Sequence, residues 1–64
     1  MTTADKLRSL RGQKSITQIA AEIGLTRSAW AMYERGCRVP RDAVKVKIAN
    51  HFGKTVQELF FSNQ

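Results

Sequence analysis

Much of what stabilises small secreted or membrane proteins is missing from this sequence. Its 64 residues include one cysteine and one proline. The lone Cys37 can close no internal disulfide and belongs to no metal-ligand cluster, so neither staple of a small secreted domain is available. The longest apolar run, Ala29-Trp30-Ala31-Met32-Tyr33, falls far short of the roughly 20 residues that span a bilayer. No apolar signal-peptide core follows the N-terminus, and a cytoplasmic location with no membrane partner is expected. There is no Ser/His/Asp set, no paired carboxylates and no phosphate-cradling glycine loop. The expectation is therefore no enzyme, no metal and no cofactor. Period-two alternation of β-branched residues is also missing, which leaves strands without support.

What is present is a core-forming fraction and a basic excess. Hydrophobic residues make up 42% of the chain, too many for a disordered basic tail, and the length allows one domain spanning 1–64. Eleven Lys+Arg against five Asp+Glu give a net charge of +6. Such an excess can simply solvate a small surface. It can equally mark a polyanion partner, because a nucleic-acid backbone rewards clustered cations. Between Arg27 and Lys47 lie six basic residues (Arg27, Arg35, Arg38, Arg41, Lys45, Lys47) and two acidic ones (Glu34, Asp42). The cations are concentrated there.

Glycines at 12, 24, 36 and 53, with Pro40, divide the chain into five short helical segments. The first, about Thr3 to Arg11, carries Leu7 and Leu10 and stops at Gly12. Ser15-Ile16-Thr17-Gln18 has the form of a capping box, and Ile16, Ile19, Ala20 and Ile23 behind it follow the i, i+3, i+4, i+7 spacing of a helix. Gly24 supplies the left-handed stop. Thr26 suits an N-cap for the third segment, Arg27 to Arg35, with Ala29, Trp30 and Tyr33 as its inward stripe. After an irregular piece comes a fourth helix, about Arg41 to Phe52, on Val44, Ile48, Ala49 and Phe52. Asp42 stands in its first turn, where a negative charge favours the helix dipole, and His51 near its end is a favourable positive charge. Thr55-Val56-Gln57-Glu58 is a second capping box, opening a short helix with Val56, Leu59 and Phe60, where Phe60 is expected to close the core. The fold class is all-α, five helices around one core.

Helices two and three are joined by a tight turn, Gly24-Leu25-Thr26, with Ala20 small enough for a close crossing. That is the pattern of a helix–turn–helix, core about 15–36, whose second helix presents its N-terminal residues to a DNA major groove. The run Ile19-Ala20-Ala21-Glu22-Ile23-Gly24-Leu25-Thr26-Arg27-Ser28-Ala29-Trp30-Ala31-Met32-Tyr33-Glu34-Arg35-Gly36 resembles the core of the phage repressor/Cro (Xre-like) transcriptional regulators. The similarity continues through Arg38-Val39-Pro40 and Lys47-Ile48-Ala49 to Leu59-Phe60. The chain departs from the family in two places. The first helix connection is about two residues shorter, and Ile16 stands where glutamine is frequent.

The resemblance implies base reading by Thr26, Arg27, Ser28, Ala31 and Met32. Chemistry supports part of that set: Arg27 can bind guanine O6 and N7 bidentately, and Ala31 or Met32 can pack on a thymine methyl. Thr26 can also serve only as an N-cap, and Met32 can instead pack under the loop. With Ile16 unable to reach phosphate, contact at that helix start falls to the backbone N–H groups beside Ser15, and to Lys14. Arg35, Arg38 and Arg41, three apart around the loop, suit phosphate positioning. Lys45 and Lys47 are expected on a solvated helix face. By the same resemblance Glu34 pairs with an arginine of helix one, Arg11 or, as second choice, Arg8. Trp30 and Tyr33 suit the core better than a single-strand stacking platform.

The function implied is a sequence-specific double-stranded DNA-binding regulator, a repressor, bacterial or phage, acting as a homodimer on a pseudo-palindromic operator. Phe61 is the candidate dimer contact, unless it folds back on its own chain. No seat for a small-molecule effector is visible. The alternative is a protein-interaction module on the same scaffold, such as an antitoxin-like or anti-repressor partner.

Overall fold

The first three helices each start at a residue whose side chain satisfies one of the helix's orphan amides. In the computed structural model, which describes residues 2–61, Thr2, Ser15 and Thr26 accept hydrogen bonds from the third backbone N–H of α1 (Thr3–Arg11), α2 (Ile16–Ile23) and α3 (Arg27–Glu34). The fourth helix, α4 (Asp42–Phe52), begins after Arg41 without a side-chain cap, and Asp42 in its first turn faces the positive end of the dipole. A closing turn, Gln57–Phe61, is wound as a π-helix. No strand occurs among the described residues, and the protein is all-α.

One local expectation is corrected. The box at Ser15 is only half formed: Ser15 Oγ accepts from Gln18 N at 3.0 Å, but Gln18 Nε2 turns along the helix to Glu22 at 3.5 Å. A full box forms instead at Thr2 and Asp5, ahead of α1. The box at Thr55 and Glu58 closes in both directions, at 2.9 and 3.0 Å. The segment it opens has π rather than α geometry.

The turn between α2 and α3 depends on Gly24, whose φ of +90° is a conformation that L side chains rarely adopt. Its N–H and that of Leu25 both return to Ala20 O, at 2.9 and 2.8 Å, which reverses the chain within three residues. Across this turn Ala20 is buried, and α3 packs against both α2 and α1. Leu7, Ile19, Trp30 and Ile48 lie fully inside, joined by Ile23, Tyr33, Ala49 and Leu59. Each buried leucine or isoleucine stabilises the fold by about 1.5–3 kcal/mol. Leu59, not Phe60, is the residue that closes the core. Phe60 is half-buried at its edge, in the π-helical turn that lies against α1.

Candidate nucleic-acid interface

The eight residues of α3 divide into two faces. Trp30, Tyr33 and Glu34, related by i+3 and i+4, point inward and are buried. Arg27, Ser28 and Met32 are exposed and Ala31 is half-buried on the other side, so four of the five expected base-reading residues share one accessible face. Thr26 precedes them, exposed, with its Oγ1 accepting from Ala29 N at 3.1 Å. The cap role is therefore formed. Thr26→Ala is expected to lower stability by about 1 kcal/mol, read as a shifted urea midpoint, and Thr26→Ser to restore it.

What holds this face in place is an ion pair behind it. Arg11 Nε lies 2.5 Å and Nη2 3.1 Å from the two oxygens of Glu34, a forked contact between α1 and α3. The carboxylate, in a residue only 5% exposed, holds the Arg11 guanidinium above its ordinary pKa by that hydrogen bond. The Trp30 indole Nε1 donates to the same Glu34 oxygen. Arg8, the second choice, takes a different acceptor: its Nη2 donates to the Glu34 backbone carbonyl at 3.1 Å. Trp30 is fully buried and Tyr33 nearly so, which removes the surface a single-strand stacking platform requires.

Arg35, Arg38 and Arg41 are exposed, as is Arg27, and among the described residues none of the four forms an ion pair. They continue from the C-terminus of α3 to the start of α4 as a run of uncommitted guanidinium groups. Lys14 differs. Its Nζ lies 2.8 Å from Glu22 Oε1, and His51 Nε2 lies 3.4 Å from the same oxygen. Of the two side chains expected to contact phosphate at the start of α2, Lys14 is thus held in a surface ion pair and Ser15 Oγ caps the helix.

Hydrogen bonds depress three carboxylates. The Lys14 bond lowers the Glu22 pKa first of all, the Thr55 backbone N–H that of Glu58, and the Thr2 backbone N–H that of Asp5. A carboxyl depressed by folding stabilises above its unfolded value, here 4.5 for glutamate, and loses that contribution as pH falls through the folded value. Urea midpoints are therefore expected to stay level down to about pH 5 and to drop below it.

Lys45 corrects another expectation. It does not lie on a solvated face: its side chain is 11% exposed, with Nζ 4.6 Å from the Phe61 ring centroid. Phe61, the candidate dimer contact, thereby folds over its own chain yet remains 52% exposed. Cys37 is exposed with a free thiol, and no cluster of metal-binding side chains occurs among the described residues. No helix of the described residues is long and apolar enough to cross a membrane.

Comparison with family models matches residues 4–59 to the helix-turn-helix domain. That span runs from the first turn of α1 to the buried Leu59 and includes every residue of the face just described. Comparisons with curated proteins and with solved structures give no match.

Proposed function

The chain belongs to the helix-turn-helix domain family, and from that membership we propose that it is a sequence-specific double-stranded DNA-binding regulator, a repressor. In this reading α3 enters the major groove, Arg27 reads guanine, and Ser28, Ala31 and Met32 contact neighbouring base edges. Arg35, Arg38 and Arg41 hold the phosphates alongside. A homodimer reads two half-sites of a pseudo-palindromic operator, because one domain of this size covers too little DNA for high specificity. The observation that carries the proposal is the pairing of an accessible α3 face with three exposed arginines free of carboxylate partners. A solvated surface would more often balance such charges against nearby acids.

The test is the salt dependence of duplex binding by fluorescence anisotropy. Neutralising three phosphates gives a slope of log Kobs against log salt of about −2.7 from these arginines alone. Arg38→Ala is expected to make the slope shallower by about 0.9 and to weaken all duplex sequences alike. A flat dependence would overturn the proposal and favour a protein-interaction module.

A further inference from the structure

We propose that the groove between α1, the loop after α3 and the π-helical turn is a binding site for a small amphiphilic carboxylate, an apolar body carrying one anionic group. The groove encloses about 540 Å³, within the roughly 300–1,000 Å³ typical of small-molecule sites. Leu7, Tyr33, Phe60 and Phe61 form apolar walls, and Val39 at its mouth is 75% exposed. Among the described lining residues none is acidic, whereas three are cationic: Arg35, Arg38 and Lys45.

Lys45 supplies the strongest indication. Its stem is covered, the side chain being only 11% exposed, while its ammonium reaches solvent and donates no hydrogen bond among the described residues, which leaves it open to an anionic partner. The faces of Phe61 and Phe60, at 4.6 and 5.8 Å, hold the ammonium over the groove. The ion pair the ammonium makes, to Asp42 Oδ1, is long at 3.8 Å, and that aspartate side chain is fully exposed. An anion beside the ammonium, at the ring edges, would meet Lys45 directly, with Arg35 and Arg38 also lining the groove.

Charge complementarity selects the occupant. A second copy would bring another +6 chain against three cations, so like charges oppose self-association through this groove. A carboxylate matches them, and an apolar body fills the walls. Arg35 and Arg38 are also the proposed phosphate anchors, so an occupied groove draws them away from DNA and weakens duplex binding. That consequence rests on the DNA-binding reading; occupancy of the groove does not.

The experiment titrates ¹⁵N-labelled protein with 4-phenylbutyrate and with its neutral isostere 4-phenylbutanamide, to about 10 mM, well past a millimolar Kd. Amide shifts are expected at Gly36, Val39, Lys45 and Phe60, with the acid bound about tenfold more tightly than the amide. Lys45→Met keeps the apolar stem and removes the charge, and is expected to reduce acid binding to the level of the amide. Arg35→Gln with Arg38→Gln, both on exposed sites, gives the same direction independently of Lys45. Equal binding of acid and amide, shifts confined to the start of α3, or no shifts would overturn the proposal. Acid affinity unchanged in Lys45→Met would overturn it as well. Groove shifts with unaltered duplex affinity would overturn the coupling alone, and absence of any duplex binding would count against the DNA reading, not the site.

Discussion

Glu34→Ala is expected to leave the chain largely unfolded at room temperature. The carboxylate is the acceptor for Arg11 Nε and Nη2 and for the Trp30 indole, at the junction of α1 and α3. Removing it strands a guanidinium that is 21% exposed and an indole N–H that is fully buried. Breaking a buried pair in this way costs about 3–5 kcal/mol, because the remaining partner keeps its desolvation without its compensation. A domain of this size rarely holds more than about 3–5 kcal/mol in all. If enough structure survives to melt, Tm should fall by about 12–24 °C, taking a loss of about 3 kcal/mol. Circular dichroism and urea titration read the effect. Glu34→Gln keeps an acceptor for the indole and for one guanidinium N–H, and should retain most of the fold. A loss under about 1 kcal/mol in Glu34→Ala would mean that the pair is only decorative.

The second large effect concerns recognition. Arg27→Ala is expected to lower affinity for the preferred duplex by about 1–3 kcal/mol, about five- to 160-fold, while random duplex loses much less. The side chain is exposed and has no ion pair among the described residues, so its removal should leave the melting temperature within a few degrees. That separation of stability from specificity is the opposite of the Glu34 result. Equal losses on preferred and random duplex would assign Arg27 to phosphate contact and remove its base-reading role.

The two residues also show what could be read in the sequence. Helix ends were legible because they depend on local chemistry: a hydroxyl at Ser15 and Thr26, and a glycine where φ reaches +90°. The inward stripe of α3 followed from spacing alone. Trp30 and Glu34 stand i, i+4 on one helix, so their hydrogen bond has a visible signal, although the family resemblance pairs the carboxylate with an arginine and the spacing puts the indole in the core. Both descriptions hold for the same oxygen. The Thr2–Asp5 box also had its pattern in the sequence, two residues that could bond across the first turn of α1. Lys45 had none. Its burial depends on Phe60 and Phe61 folding back across α4, a contact between residues fifteen and sixteen positions apart that no helical period encodes. For the same reason, the groove containing a potential ligand seat was invisible from patterning. Lys14 is read from the sequence as a phosphate contact, but its partner Glu22 lies on the next helix, eight residues away, which no local pattern pairs.

The most direct measurement is selection from a pool of randomised duplexes by the immobilised full chain, followed by sequencing of the retained fraction. The expected result is enrichment of a pseudo-palindrome whose two half-sites, each containing guanine, are centred about 34 Å apart, one turn of the double helix or a multiple of it. A retained pool indistinguishable from the input, or retention outcompeted by single strands of the same length, would contradict the account.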